Sequence, residues 1–460
     1  MLPGRGIRTT GSIETGTVIL RIPQTWFLEP HQVFDVPELG PEIAKRAREE
    51  PLLWDTRVWL ACLLVYRRAK ASRQETDAWK PYIDSLPNEF TIPSFHTEET
   101  IEQIPDANIR KQALKIRKEI AEAYRVCHPL FTLSSELNKD DYSYRHFVWA
   151  WACIMTRECY LEPQHYKSST CKEFITSDLR NQPNKRSPAV LVPCLGRCSA
   201  NYIEVMANLA TWIGSFDMYV AQICLITIQK SKQTSILKMS ITLWKYVACG
   251  QYRPLDMQDD PYRDFPQVTR QLSPGEQVFI HYGPHDNATL LQYWGFAVNP
   301  NPHETDCLQL YHVLSRDLVD TFLSECSSAL SRLGLRIDGE LRVSADNFWQ
   351  LRVLFRLLVR WKTSSQRKRL GRTDPEQVFP LHTLLQDQQI DESSEHATQN
   401  LVEKITQTLV ESYKGRTEKI QRAGLPAELV ASLHIFFWGR TALWELASRC
   451  FNSAHDENLI

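Results

Sequence analysis

The sequence predicts an α+β fold, with short strands in the front part of the chain and an almost wholly helical back half. Three observations carry this. Thr17 to Ile22 is a β-branched run set between the turn residues Glu14, Thr15 and Gly16 and the closing Pro23. Gln277 to Tyr282 reads as a second strand, entered through Ser273-Pro274-Gly275-Glu276 and left at Gly283-Pro284. Beyond about Asp306 the apolar residues recur at helical spacing instead.

Taken in order, Gly4 to Pro23 reads as two short strands around a turn. From Pro51 the period changes to that of a helix, with Trp59, Leu60, Leu63 and Leu64 on one stripe. Ile109, Ala113, Ile116, Ile120 and Tyr124 form another, behind Asp106 as N-cap. Between them, Pro81 and Pro87 make Trp79 to Pro87 a fixed loop. A third helix covers Tyr144 to Cys159 and ends near Thr156-Arg157. In the back half, Leu318, Phe322 and Leu323 mark one amphipathic helix. Phe348, Leu351, Phe355, Leu358 and Trp361 mark the next, and Leu401, Ile405 and Leu409 a third. The polar stretch Gln386 to Gln399 reads as a loop.

With 460 residues, 43% hydrophobic and 23% charged, the chain can bury large cores and is not globally disordered. A net charge of -1 provides no overall field toward nucleic acid or an anionic membrane. The 12 cysteines are scattered: Cys153 and Cys159, or Cys194 and Cys198, lack a second pair at zinc-ligand spacing. They are expected as free, buried thiols in a reducing compartment, with no metal. The first residues, Met-Leu-Pro-Gly-Arg-Gly, have no apolar secretion core, so nucleus or cytoplasm is the expected location.

Residues 197–250 differ from the rest. Glu204 and Asp217 are the only acidic residues there, against 54 in the chain, and three of the six methionines (Met206, Met218, Met239) fall in this stretch. Met206 to Ile228 has the length of a bilayer span, about 20 residues. Asp217 near its centre would cost roughly 2.5–3.5 kcal/mol on insertion, and Asn208 and Gln222 weaken it further, so a membrane span is not expected.

Four pieces, in order, resemble the SET-domain protein methyltransferases of the split-SET, Rubisco-methyltransferase type. They are Gly4-Arg5-Gly6-Ile7 with the following strands, and Trp79 to Pro87. Next come Phe147-Val148-Trp149-Ala150-Trp151 with Thr156-Arg157, and Gly275 to Gly283 continuing through Asp286-Asn287 and Leu290-Leu291 to Gly295-Phe296. The resemblance implies a β-rich SET fold with a helical insertion, followed by an all-α substrate-binding domain. Its parts would be residues 1–50 and 144–305 for the SET domain, 51–143 for the insertion and 306–460 for the substrate-binding domain. It also implies S-adenosylmethionine as cofactor and a lysine side chain of a protein, histone or other, as substrate. Arg5, Gly6 and Ile7 would contact the cofactor through the main chain, Arg157 would meet its amino-acid end, and Tyr282 would stand at the transferred methyl. A monomer without nucleic-acid or membrane partners is expected.

The chemistry is consistent with that assignment. A lysine amine, with a reference pKa of about 10.4, must lose its proton before it acts as a nucleophile. A narrow apolar channel disfavours the ammonium and aligns the free amine.

The chain departs from the family pattern after Ala189-Val190-Leu191-Val192-Pro193. The expected Asn-His pair is absent from the whole sequence, so no residue takes that role. The atypical residues 197–250 follow directly. They are either non-coding sequence read through in place of an exon, which the composition favours, or a genuine insertion in a SET fold without methyl transfer. Trp294 stands where the family has a Tyr before Gly-Phe. The functional alternatives are a catalytically impaired interaction protein and a protein-histidine methyltransferase.

Overall fold

The structure is a computed structural model. It describes residues 7–14, 18–23, 28–47, 49–73, 78–160, 189–191, 262–267, 271–278, 282, 284–312, 314–335, 337, 340–368, 381–386 and 388–452. In chain order the strands are β1 (Ile7–Arg8), β2 (Val18–Pro23), β3 (Glu158–Tyr160), β4 (Ala189–Leu191), β5 (Tyr262–Gln267), β6 (Gln277–Val278), β7 (Thr305–Gln309) and β8 (Glu340–Ser344). The helices begin with α1 (Leu39–Arg46), α2 (Thr56–Ser72), α3 (Lys80–Ser85), α4 (Glu98–Glu102), α5 (Ala107–Phe131) and α6 (Tyr144–Arg157). They continue with α7 (Asn287–Trp294), α8 (Arg316–Glu325), α9 (Ser327–Arg332), α10 (Phe348–Lys368), α11 (Leu381–Leu385), α12 (Glu392–Arg422) and α13 (Ala427–Asn452). The chain divides into two compact units, Met1–Thr97 with Lys111–Pro284, and Glu98–Arg110 with His285–Ile460.

In the first unit the strands form antiparallel pairs, β1 with β6, β2 with β5 and β3 with β4. Helix α2 starts where the Asp55 carboxylate accepts the Arg57 N–H at 2.9 Å, an N-cap that satisfies an otherwise orphan donor. Its stripe of Trp59, Leu60, Leu63 and Leu64 is fully buried, as the period requires, and packs against α6, which buries Phe147, Trp151 and Ile154. The Trp149 indole donates to the Pro87 carbonyl at 2.8 Å, while the Arg68 guanidinium lies 4.0 Å over its ring. Those contacts fix the segment after α3 onto α6.

In the second unit α10, α12 and α13 surround a core built from the predicted faces. Phe348, Leu351, Phe355, Leu358 and Trp361 are all buried, with Phe322 and Ile405 in the same cluster. A set of charges lies within this unit. Asp106 caps α5 by accepting from Asn108 and Ile109 N–H, both at 3.0 Å, and also receives Arg416 at 3.0 Å and Arg440 at 3.3 Å. Arg440 reaches Asp306 as well, at 3.2 Å, and Asp306 accepts from the Tyr413 hydroxyl and from Trp444 at 2.8 Å. Each buried charge therefore has an opposite partner, the condition under which burial is tolerated. Gly439 sits in mid-helix because a Cβ there would come within 2.7 Å of Glu304 Oε2 and 3.0 Å of Asn287 Nδ2.

The structure corrects several sequence expectations. The α+β class stands; among the described residues helices predominate and the strands form short pairs. The two strands within Gly4 to Pro23 form, yet pair with β6 and β5 and not with each other. Trp79 to Pro87 is not a loop throughout: it contains α3, because Pro81 falls in the first turn, where its missing N–H costs nothing. The third helix ends at Arg157, and Cys159 is in β3. The strand predicted over Gln277 to Tyr282 is described only at Gln277–Val278, and Phe279 to His281 lie outside the described residues.

The back half is not wholly helical, because β7 and β8 pair antiparallel with Thr305 opposite Ser344. Their alternation was hidden by Asp306, a charge at an inward position. Gln386 to Gln399 is not a loop throughout, since α12 begins at Glu392 behind the N-cap Asp391, which accepts the Ser394 N–H at 2.8 Å. Its first inward residues are Ser394 and Thr398, so no apolar period announces it. Residues 197–250, with the Met206 to Ile228 stretch, lie outside the described residues, and among those described no helix is long and apolar enough to cross a membrane.

Among the described residues of the second unit, Glu304 departs from this charge balance. Its Oε2 accepts from Asn287, while its buried Oε1 has no partner. Burial, with a contribution from Asp286, pushes this carboxyl up to about 7 against the pull of Arg440. Its folded pKa thus exceeds the unfolded value near 4.5, and stability declines as pH rises between those two values. Glu304→Gln should flatten this dependence and be more stable than the parent at about pH 8 by about 2–3 kcal/mol, with little difference at about pH 4, in urea denaturation. An unchanged pH slope would overturn the assignment.

Candidate functional site

The site residues expected from the sequence that the structure describes lie at two places in the first unit, the β1–β6 ladder and the C-terminus of α6. In the ladder Ile7 stands opposite Val278 and Arg8 opposite Gln277. The buried Thr9 extends it: its N–H donates to the Glu276 carbonyl at 2.9 Å, and its carbonyl accepts the Gly275 N–H at 2.7 Å. The Thr9 hydroxyl donates to the Ser273 carbonyl and accepts from Glu276 N–H at 3.2 Å. The turn Ser273 to Glu276 is thereby held on the first strand. It needs Gly275, whose φ of +79° is the left-handed region that side chains disfavour. Tyr282 follows the ladder by four residues and is half-buried.

Helix α6 ends because Glu158 turns extended, at φ −65° and ψ 139°, and pairs with Leu191 across β3 and β4. Arg157 is the last helical residue and is only 4% exposed. One of its terminal nitrogens donates to the Thr156 hydroxyl, which itself donates to the Ala152 carbonyl at 2.8 Å. The Arg157 Nε is buried without a hydrogen-bond partner, and no carboxylate pairs with this guanidinium among the described residues.

The neighbouring groups do not supply the missing anion. Burial pushes the Cys153 thiol up to about 12, despite the opposing pull of Arg157 and Arg68, so it is neutral at physiological pH. Glu158 is held in a bidentate pair by Arg57, with Nε to Oε2 at 2.9 Å and a second contact to Oε1. What remains is the partial negative charge of the α6 C-terminus. An uncompensated buried guanidinium of this kind is suited to a planar anion such as a carboxylate.

Of the residues singled out in the sequence, Ile7 is in the ladder that leads to Tyr282, and Arg157 is in the buried helix end. Arg5 and Gly6 lie outside the described residues, as does the stretch after Pro193 where the absent Asn-His pair would fall. Asp286 and Asn287, part of the same signature, act within the second unit. Asp286 caps α7 through Thr289 N–H at 2.8 Å, and Asn287 holds the Val298 main chain at 3.0 and 2.8 Å. Trp294 packs on His285 with ring centroids 5.3 Å apart. Sequence reasoning missed Thr9, Arg57 and Glu158. Their partners are 101 or more residues away in the chain, and no local pattern marks them.

In sequence the chain is similar to SET-domain proteins. It is 24% identical to mouse SET domain-containing protein 4 over 333 residues, 72% of this chain and 59% of the relative. To the human protein of that name it is 23% identical over 305 residues, 65% of this chain and 53% of the relative. To the Drosophila melanogaster actin-histidine N-methyltransferase it is 22% identical over 353 residues, 74% of this chain and 51% of the relative. The chain thus spans little more than half the length of these relatives. A crystal structure of the SET domain of LSMT bound to lysine and AdoHcy superposes with a TM-score of 0.48 at 16% identity, covering 97% of this chain and 84% of that one. No protein-family model matches the chain.

An unneutralised buried cation lowers stability. Arg157→Gln should therefore be at least as stable as the parent, by about 1 kcal/mol or more in chemical denaturation. A clear loss of stability would mean that Arg157 has a counter-charge in the folded protein.

Proposed function

We propose that the chain is an S-adenosylmethionine-dependent protein N-methyltransferase acting on a lysine side chain. The observation that carries this reading is the buried, uncompensated Arg157 guanidinium with its orphan Nε. Such a group fits the carboxylate at the amino-acid end of that cofactor. The cofactor, when bound, supplies an activated methyl group and a neutral leaving group. Arg157 would fix its amino-acid end, and the main chain at Arg5, Gly6 and Ile7 would contact it from the first strand. Tyr282, carried from the β1–β6 ladder, would orient the target nitrogen through its hydroxyl and help exclude water. In those surroundings desolvation favours the free amine over the ammonium.

On this reading the helices of 306–460 would present the protein substrate to a monomeric enzyme of the nucleus or cytoplasm. The similarity to a relative named actin-histidine N-methyltransferase favours a second reading, in which the acceptor is a histidine. A nitrogen that is already neutral at physiological pH would need less desolvation.

The test is methylation of protein substrates by the full chain with S-adenosylmethionine, with the modified residue located by mass spectrometry. Tyr282→Phe is expected to lower kcat by about 100-fold or more with cofactor affinity unchanged. Full activity in Tyr282→Phe would remove that residue from the site. Failure of the folded parent to bind S-adenosylmethionine would favour a non-catalytic interaction protein.

A further inference from the structure

Arg57 and Glu158 have no place in the reading above, yet their pair adjoins its central residue. Glu158 is the next residue after Arg157, and its side chain is 8% exposed. Released from its partner, so buried a carboxylate would draw toward another cation, and Arg157 is its neighbour in the chain. Arg57 is a competing partner from another helix, 101 residues away in sequence. Its backbone is pinned in the first turn of α2 by the Asp55 cap, and its guanidinium meets both Glu158 oxygens. A two-point pair fixes direction as well as distance, so Glu158 is turned toward α2. Thr156 acts from the other side. Its hydroxyl proton is committed to the Ala152 carbonyl, so the oxygen can only accept from Arg157.

We propose that Arg57 is a positioning residue which, by holding Glu158 in a bidentate ion pair, keeps the Arg157 guanidinium un-neutralised and open to the carboxylate of an amino-acid-bearing nucleoside. The proposal rests on the reading of Arg157 as a cofactor contact. It differs from a purely structural role in a testable way. A structural clamp is damaged further when both partners are removed. A device that withdraws a competing carboxylate is repaired when that carboxylate is removed too.

The experiment is calorimetric titration of the full chain with two probes. S-adenosylhomocysteine carries the amino-acid carboxylate, and 5′-methylthioadenosine lacks it. Arg57→Gln is expected to weaken S-adenosylhomocysteine by about tenfold or more, through the charge released beside Arg157, and to leave 5′-methylthioadenosine unchanged. Adding Glu158→Gln to that variant is expected to restore affinity to within about threefold of the parent. Glu158→Gln alone should bind both probes like the parent.

Parental affinity in Arg57→Gln, an equal loss for both probes, or a double variant no tighter than the single one would each overturn the proposal. Arg157→Gln separates this failure from that of the underlying reading. If it binds S-adenosylhomocysteine normally, the cofactor contact at Arg157 falls and this proposal with it. If it loses that probe selectively while Arg57→Gln does not, only the role of Arg57 is lost.

Discussion

The first unit depends on one long closure, the antiparallel pairing of Ile7 and Arg8 with Val278 and Gln277. Joining segments so far apart costs chain entropy, although that cost grows only slowly with the length enclosed. Two residue pairs alone would not meet it. Thr9 adds both of its main-chain groups and its hydroxyl to the same turn, Ile13 pairs with Leu272, and β2 runs beside β5 over a longer register. The result is that the start of the chain and the approach to Tyr282 share one ladder. A break at Gly275, where φ is positive, would change both together.

Charge is distributed unevenly in the molecule, and the unevenness follows its parts. In the second unit Asp106, Asp306, Arg416 and Arg440 neutralise one another, with Tyr413 and Trp444 satisfying the remaining acceptor positions on Asp306. Such a set holds the Asp106 cap, β7, α12 and α13 of the second unit in one arrangement, because removing any member would strand a buried charge. At the end of α6 the opposite holds. Arg157 is as buried as those residues, but among the described residues its polar partner is a neutral hydroxyl. A buried charge that lacks a counter-charge among the described residues concentrates a stability cost at that point.

Glu304 shows that an unpaired group need not belong to a site. Its carboxyl is held by Asn287 and crowded by the backbone of α13 at Gly439, and burial brings it toward the neutral form. Neutralisation relieves the carboxyl at modest pH, a route closed to an arginine. Glu304 therefore answers its desolvation by titrating, with no ligand involved.

Much of this was readable before folding. Helical period located α2, α5, α8, α10 and the later part of α12, because each turns an apolar stripe to a core. Asp106 was readable as a cap, and Arg157 and Tyr282 stood out by their place in ordered motifs. Elements whose inward positions are polar were not readable. These include β7, with Asp106's counterpart Asp306 facing inward, and the start of α12, with Ser394 and Thr398. Which strand pairs with which was also undetermined, since short strands state their pattern but not their partner. The sequence by itself determined where side chains of one character recur, and so which elements exist. Only the tertiary structure decided that Arg57 claims Glu158 and that Arg157 has no counter-charge among the described residues, because electrostatic pairing depends on distance in space, which spacing along the chain does not encode.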